Sequence, residues 1–106
     1  MSYKVIATDT YLAAIATWPK EDQDMAAKVQ KQLALNPFVG DPLNYRFLRE
    51  KRIKGRRIYY LVYEDLKLIL CVATSQKKDQ QTTIDHIKNH LDEFKKTAQD
   101  IAKQVS

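Results

Sequence analysis

The chain has 106 residues, of which 44% are hydrophobic and 29% charged, and a formal net charge of +5. This length and composition predict one globular domain over residues 1–106, and no apolar run is long enough for a transmembrane helix. The N-terminus lacks a signal-peptide pattern, the single Cys71 cannot form an internal disulfide, and two glycines are too few for a GxGxxG phosphate loop. These features favour a cytoplasmic protein.

The N-terminal region predicts a strand followed by a helix. Residues 2–7 alternate in polarity, as strands do. The side chains of Thr8, Asp9 and Thr10 can cap a helix over YLAAIATW, and Pro19 ends it. The apolar stripe of this helix is predicted to consist of Leu12, Ile15 and Ala16.

A second helix is predicted after Pro19, because Glu21 and Asp22 suit the positive end of a helix dipole. Its buried face is predicted to consist of Met25, Val29 and Leu33. Two prolines and a glycine within NPFVGDPL (36–43) then predict a connector rich in turns.

The middle of the chain changes to a period of two, which is typical of strands. The predicted strands of this antiparallel meander are YRFLREKRI (45–53), RRIYYLVYE (56–64) and KLILCVATS (67–75). A tight turn at Gly55 joins the first two strands. The third strand is an almost continuous apolar run, as in strands buried on both faces. Together these elements predict an α+β domain.

The C-terminal segment carries a heptad stripe, which predicts one helix of about 22 residues and about 33 Å. The stripe consists of Ile84, Ile87, Leu91, Phe94, Ala98, Ile101 and Val105. A domain of this size is only about 26 Å across. The stripe therefore either covers one face of the sheet or extends beyond it over residues 95–106. In the second case it can contact a partner or mediate self-association.

The positive charge is concentrated in residues 46–57, which contain seven Lys/Arg residues and a single acid, Glu50. The cations are Arg46, Arg49, Lys51, Arg52, Lys54, Arg56 and Arg57. The rest of the chain is nearly neutral. Such a local positive field is typical of proteins that bind nucleic acid, an anionic membrane or an acidic protein, and it also occurs on solvated strands without a partner.

The predicted sheet places cations and tyrosines together. Residues 57, 59 and 63 share one face of their strand, so that face carries Arg57, Tyr59 and Tyr63. Antiparallel pairing also predicts that Lys77 and Lys78 come close to Arg57. Cations beside aromatic rings suit single-stranded RNA, whose bases stack and whose phosphates bind Lys and Arg.

Other chemistry has weaker support in the sequence. His86 and His90 have a spacing that can bind zinc on a helix, but no glutamate lies between them and no third ligand is evident. Cys71 lies within an apolar strand, where a thiol is usually inert. Ser75 has no histidine placed to activate it. Metal binding and nucleophilic catalysis are therefore not predicted.

From Tyr3 to about Phe94, the order of elements resembles that of the RelE/ParE toxin superfamily. The residues that carry the resemblance are the Asn36-Pro37, Gly40 and Pro42-Leu43 connector, the meander KRIKGRRIYYLVYED, and LILCVATSQKK with its basic end. Arg57 and Tyr60 match the recurring YR..Y pattern of the family, while Arg56 replaces its first aromatic residue.

The resemblance implies a fold similar to that of microbial ribonucleases and an activity as a ribosome-dependent mRNA endoribonuclease. The 2′-OH of the substrate is the nucleophile in such enzymes, which need neither metal nor cofactor. The partners it implies are a neutralising antitoxin and the ribosome with its mRNA, without a membrane.

The same resemblance assigns roles to individual residues. Arg57 corresponds to the catalytic arginine, and Lys77 falls where many relatives have an arginine. The resemblance places Lys51, Arg52 and Lys54 in the basic region that contacts RNA and ribosome, and the pattern of cations and tyrosines adds Arg49, Arg56, Lys78 and Tyr59 as RNA-binding residues. The candidates for proton transfer are Glu50, Lys54 and Tyr59.

The chain departs from the family at the start of the C-terminal helix. Active relatives commonly have Tyr or His there, whereas this chain has Thr83. His86 could substitute if the helix begins early. Two alternatives therefore stay open, namely a ParE-like inhibitor of DNA gyrase and an RNA-binding module without catalysis.

Overall fold

The computed structural model describes residues 2–104, which form a five-stranded sheet with helices on both faces. The elements are β1 (Lys4–Ala7), α1 (Asp9–Ile15), α2 (Lys20–Leu35), β2 (Asp41–Leu43), β3 (Tyr45–Ile53), β4 (Arg56–Tyr63), β5 (Leu68–Gln76), α3 (Gln80–Asn89) and α4 (Leu91–Gln104). Short 3₁₀ turns at Glu64–Leu66 and Lys77–Asp79 flank β5. None of the helices described is long and apolar enough to cross a membrane. The predicted α+β fold is confirmed.

The sheet has the strand order β1-β5-β4-β3-β2. The predicted meander of β3, β4 and β5 is antiparallel and forms its centre. β1 lies at one edge and pairs in parallel with β5, which makes the sheet mixed. The other edge is β2, a short strand within the segment that was predicted as a connector only. The meander was therefore correct, and the sheet extends beyond it on both sides.

Both faces of the sheet are covered, which explains the continuous apolar run of β5. Ile58, Tyr60 and Val62 pack with the side chains of α1 and α2. Tyr59 and Leu61 alternate with them and pack beneath α3. Successive side chains of a strand point to opposite faces, so β4 contributes to two hydrophobic clusters at once.

The buried face of α1 differs from the prediction. Leu12 is 52% exposed, whereas Tyr11 is only 1% exposed and Ile15 is half-buried. The side chain of Thr8 caps the helix by accepting a hydrogen bond from the Tyr11 backbone N–H, as expected. Tyr11, Ile15 and the following Trp18 all pack against the sheet. The prediction was therefore correct for Ile15 and wrong for Leu12 and Ala16, which are exposed.

The C-terminal heptad stripe is divided between two helices, so the prediction of one uninterrupted helix was wrong. His90 separates α3 from α4 with φ −123° and ψ 19°. Its backbone N–H donates to Ile87 O, while its ring Nδ1 donates a hydrogen bond to the carbonyl oxygen of His86 at 2.7 Å. The imidazole thus competes with the helical hydrogen bond and interrupts the helix.

Both parts of the stripe nevertheless pack on the sheet. Ile84 and Ile87 of α3 are buried, and Leu91, Phe94 and Ile101 of α4 are packed against the same cluster. The covering of one sheet face is therefore the main use of the stripe in the residues described. Val105, the last predicted member, lies outside those residues. Self-association through this segment stays a prediction.

The hydroxyl of Tyr11 provides a first test of the packing. This group is buried without a hydrogen-bond partner in the described residues, and burial raises the pKa of the phenol. Tyr11→Phe is expected to raise the free energy of unfolding by about 1 kcal/mol, because it removes an unsatisfied polar group. Tyr60→Phe is the matched control. The Tyr60 hydroxyl accepts from Gly40 N–H at 3.0 Å, so its loss should cost about 1 kcal/mol in urea denaturation. A destabilised Tyr11→Phe would contradict this assignment.

Candidate functional site

Two basic segments meet at one end of the sheet. The register pairs Arg56 with Gln76 and Arg57 with Ser75, which brings the β3–β4 turn beside the end of β5. An open groove of about 440 Å³ lies there, lined by Gly55, Arg56, Gln76, Lys77 and Lys78. We call it the cationic groove. The predicted convergence of the two segments is confirmed, but Arg56 rather than Arg57 lines the groove, because adjacent strand residues point to opposite faces.

Arg57 lies on the α3 side of the sheet and is only 7% exposed. Its Nε donates to Glu50 Oε1 at 3.2 Å, and Glu50 is itself 2% exposed. Gln80 at the start of α3 donates to Glu50 Oε2 at 2.7 Å. The Nη groups of Arg57 have no acceptor among the described residues. Arg57 is therefore fixed by a buried carboxylate through its Nε, and its Nη groups are not used by another side chain or carbonyl of the described residues.

Arg56 and Lys54 are bound to α2 through the buried carboxylate of Asp22. Arg56 forms an ion pair with Asp22 and lies over the ring of Trp18, 4.9 Å from its centroid. Lys54 Nζ lies 3.0 Å from Asp22 Oδ1 and 3.3 Å from Glu21. The hydrogen bond from Lys54 and the charges of both cations hold the pKa of Asp22 below its usual value. The sequence had indicated only a dipole role for Asp22.

The same contacts limit what Lys54 can do. Hydrogen bonds to Asp22 and Glu21 raise its pKa, so the ammonium stays protonated near neutrality. A protonated lysine can provide charge but cannot act as a general base. Its backbone has φ 56°, so the left-handed residue of the tight turn is Lys54 and not Gly55.

Arg49 was expected to bind RNA, but it is 9% exposed and serves the fold. Its Nε and Nη2 donate to Gly40 O at 3.1 and 2.7 Å, and it also reaches the carbonyls of Phe38 and Arg46. These bonds fasten the 36–43 segment to β3. With its donors occupied by backbone carbonyls, Arg49 does not present its charge to a ligand in this structure. The assignment to RNA binding was therefore wrong.

Gly40 allows this close approach, because a Cβ there would lie 2.8 Å from the Tyr60 hydroxyl and closer still to Glu50 O. Gly40→Ala is expected to lower the free energy of unfolding by about 2–3 kcal/mol through this overlap. Gly55→Ala is the matched control, since nothing lies within 4 Å of its Cβ position. Urea denaturation should separate the two variants, and equal stabilities would contradict the geometry.

Tyr59 was expected to stack with RNA bases, yet it is fully buried. Its hydroxyl lies 2.8 Å from Ser75 Oγ. Burial is the main reason that its pKa is raised, so the phenol stays protonated at neutral pH. The expectation of an RNA-facing tyrosine wall is wrong for this residue, because α3 covers its face of the sheet. The alternation of residues along the strand predicted the face on which Tyr59 lies but could not show that a helix covers that face.

The cations that remain free are fewer than the sequence count indicates. Within residues 2–104, Lys51, Lys77 and Lys78 have no ion pair. Arg52 is exposed, with its Nε 3.9 Å from Glu50. Arg46 is paired with Glu64 at the opposite end of β3. Within the two basic segments, the cations without a close acidic partner thus lie around the cationic groove and on the exposed side of β3.

The residues considered for proton transfer on α3 are less suitable. Thr83 Oγ1 donates to the Asp79 carbonyl at 2.9 Å. His86 is exposed and its ring lies 4.2 Å from that of His90. Glu50 is the carboxylate that contacts Arg57 directly. Gln80 could not be identified from the sequence, since a polar residue at a helix start carries no signal for a contact with a carboxylate thirty residues away.

Comparison with solved structures identifies the fold. A free double mutant of E. coli toxin RelE matches with a TM-score of 0.72 and 10% identity, over 84% of this chain and 98% of that chain. The toxin–antitoxin complex RelBE2 from Mycobacterium tuberculosis matches at 0.65 and 17% identity, over 73% of this chain and 100% of its own. The archaeal RelE–RelB complex from Pyrococcus horikoshii OT3 matches at 0.63 and 18% identity, over 73% and 97%.

No protein-family model matches the sequence, and no curated protein matches it. The likeness therefore rests on three-dimensional structure at identities of 10–18%. The resemblance stated from the sequence motifs is confirmed as a likeness of fold, and the chain has the fold of RelE toxins.

Proposed function

We propose that this chain, with its RelE fold, is the toxin of a toxin–antitoxin pair and cleaves mRNA on the ribosome. The observation that supports this best is the cluster of cations at one end of that fold. Lys77 and Lys78 are exposed and have no acidic partner within residues 2–104, and Arg57 lies on the neighbouring strand β4. Such an arrangement suits the phosphodiester backbone of RNA.

The proposed reaction uses the ribose 2′-OH as nucleophile. Its oxygen attacks the adjacent phosphorus, the bond from phosphorus to the 5′-oxygen breaks, and the leaving oxygen takes a proton. The protein must remove the 2′ proton and stabilise the charge on the phosphorane. Arg57 and Lys77 would provide the positive charge, a contribution of about 3 kcal/mol for a well-placed donor. No metal or cofactor is required by this scheme.

Glu50 is the candidate we favour for accepting the 2′ proton, because its carboxylate contacts Arg57. Lys54 stays protonated and the Tyr59 phenol has a raised pKa, so neither is a good base at neutral pH. Arg52 and Lys51 would bind the flanking phosphates. The identity of the general acid is open, since Thr83 binds a backbone carbonyl.

The proposed partner is a cognate antitoxin. The structures from Mycobacterium tuberculosis and Pyrococcus horikoshii described above are toxin–antitoxin complexes, and another matched structure holds E. coli RelE with a peptide of its antitoxin RelB. By analogy, an antitoxin segment would bind this chain and neutralise it.

A second candidate function is inhibition of DNA gyrase without nuclease activity. It is favoured by the burial of Arg57 against Glu50 and by Thr83 at the position where active relatives commonly have Tyr or His. The two functions differ in their target, so they can be separated by experiment.

The test is primer extension on an mRNA with translating ribosomes and the purified chain, beside a gyrase supercoiling assay. New cleavages in the decoding site, absent without ribosomes, would support the proposal. Intact mRNA with inhibited supercoiling would replace it by the second candidate. Intact mRNA with active gyrase, together with RNA binding, would leave a module without catalysis.

A further inference from the structure

A second cleft adjoins the cationic groove at the same end of the sheet, on the face opposite Arg57. It has a volume of about 360 Å³ and lies between the end of α1 and the paired ends of β4 and β5. Its walls include Ala14, Thr17, Trp18, Arg56, Gln76 and Lys78. We call it the α1 cleft. The roles proposed for Arg57, Glu50 and Lys77 do not involve this cleft.

The α1 cleft adjoins the cationic groove. Arg56, Gln76 and Lys78 line both cavities. Arg57, Glu50 and Gln80 lie on the α3 side of the sheet, whereas Trp18 and Ala14 lie on the α1 side. Because the two cavities share these residues, a chain-like ligand held by the lysines after β5 can continue directly into this cleft.

The cations of the α1 cleft differ in how they are held. Arg56 is fixed between the carboxylate of Asp22 and the face of Trp18, and its side chain keeps 29% of its exposure. Lys78 is exposed and has no ion pair among the described residues. Asp79 also lines the cleft and is the acid at its rim. A fixed guanidinium beside an unpaired ammonium suits a phosphate group, which accepts hydrogen bonds from both.

We propose that the α1 cleft binds the backbone of single-stranded RNA adjacent to the segment in the cationic groove. This inference rests on the RNA binding of the proposed function but not on cleavage. The Gln76 side-chain amide lines the path and can donate to phosphate oxygens, while the Thr17 hydroxyl, which donates to the Ala14 carbonyl at 2.7 Å, can accept from a ribose hydroxyl. The cleft would thus lengthen the bound strand and add phosphate contacts that the α3 face does not offer.

The test uses charge changes at two neighbouring residues of α1. Ala14 lines the cleft, whereas Ala13 is exposed and does not. The variants Ala14→Glu and Ala13→Glu change the net charge equally and in the same helix. Ala14→Lys controls for packing, because it adds a side chain of similar length with the opposite charge.

Binding is measured with a short oligouridylate by fluorescence anisotropy and, in parallel, by intrinsic fluorescence. Trp18 is the only tryptophan, and its contact with Arg56 makes it a reporter of the cleft. We expect the fluorescence of Trp18 to change with RNA. Ala14→Glu should lower the affinity at least about fivefold, because its carboxylate repels the bound phosphate at short range. Ala13→Glu should lower it less than about twofold, and Ala14→Lys should not lower it.

Three results would overturn the inference. The first is an equal loss of affinity in Ala14→Glu and Ala13→Glu. The second is an equal loss of affinity in Ala14→Glu and Ala14→Lys. The third is the absence of RNA binding by the wild type. These outcomes are distinct from failure of the proposed function. Binding with the expected pattern but without cleavage on ribosomes would support the α1 cleft and reject the ribonuclease.

Discussion

Glu50→Ala is expected to lower the free energy of unfolding by about 3–5 kcal/mol, because it leaves a buried guanidinium without its counter-ion. Arg57 and Glu50 are 7% and 2% exposed, and the Nε–Oε1 distance is 3.2 Å. Gln80 would also lose its two hydrogen bonds to the carboxylate. Urea denaturation monitored by circular dichroism measures the change.

The exposed ion pair between Arg46 and Glu64 provides the matched control. Both side chains are more than half exposed, so Glu64→Ala should cost less than about 1 kcal/mol. The double variant Glu50→Leu/Arg57→Leu should be more stable than Glu50→Ala, since it buries no unpaired charge. If Glu50→Ala were no more harmful than Glu64→Ala, the buried pair would not exist as described.

This pair also determines how Arg57 can be studied. Arg57→Ala would leave Glu50 buried and unpaired, so a loss of activity could reflect a loss of folded protein. Arg57→Lys keeps the positive charge and removes the planar fork that binds a phosphate through two hydrogen bonds. A folded Arg57→Lys with reduced cleavage would separate catalysis from stability.

The elements that could be predicted from sequence are those with local signals. The apolar run of β5 and the alternation of β3 and β4 identified the meander, because strand period and burial are both readable along the chain. The break at His90 could not be predicted from the sequence, because it depends on a hydrogen bond between the His90 imidazole and the carbonyl of His86. A heptad pattern records which residues are apolar and does not record such a competing hydrogen bond.

The candidate site was predictable in position but not in detail. Strand pairing correctly brought Lys77 and Lys78 beside the β3–β4 turn. Charge counting could not show that Asp22 lies against Arg56, because the two residues are separated by 34 positions and meet only in the folded chain. For the same reason Arg49 and Tyr59 were assigned to the surface, whereas tertiary packing buries both.

The double variant Lys77→Ala/Lys78→Ala is expected to reduce ribosome-dependent cleavage about 10- to 100-fold, because it removes the exposed cations nearest the proposed RNA path. Both side chains are exposed and without an ion pair in the described residues. The free energy of unfolding should therefore change by less than about 0.5 kcal/mol. Cleavage is measured by primer extension at equal concentrations of folded protein.

Lys28→Ala/Lys31→Ala is the matched control, since it removes two exposed lysines of α2 and lowers the net charge equally. It should reduce cleavage less than about twofold, because neither lysine lines the cationic groove or the α1 cleft. Equal losses in the two double variants would mean that overall charge, and not the cationic groove, governs the encounter with RNA.

The salt dependence of RNA affinity distinguishes direct lysine–phosphate contacts from a general electrostatic attraction more sharply. Each phosphate neutralised by a lysine contributes about 0.7 to the slope of log affinity against log salt for single strands. Removal of Lys77 and Lys78 should therefore decrease the steepness of that slope for oligouridylate by about 1.4. The Lys28→Ala/Lys31→Ala slope should match that of the wild type. Unchanged slopes in both double variants would show that neither lysine of the groove touches a phosphate, and the positive charge of this sheet end would then have another use.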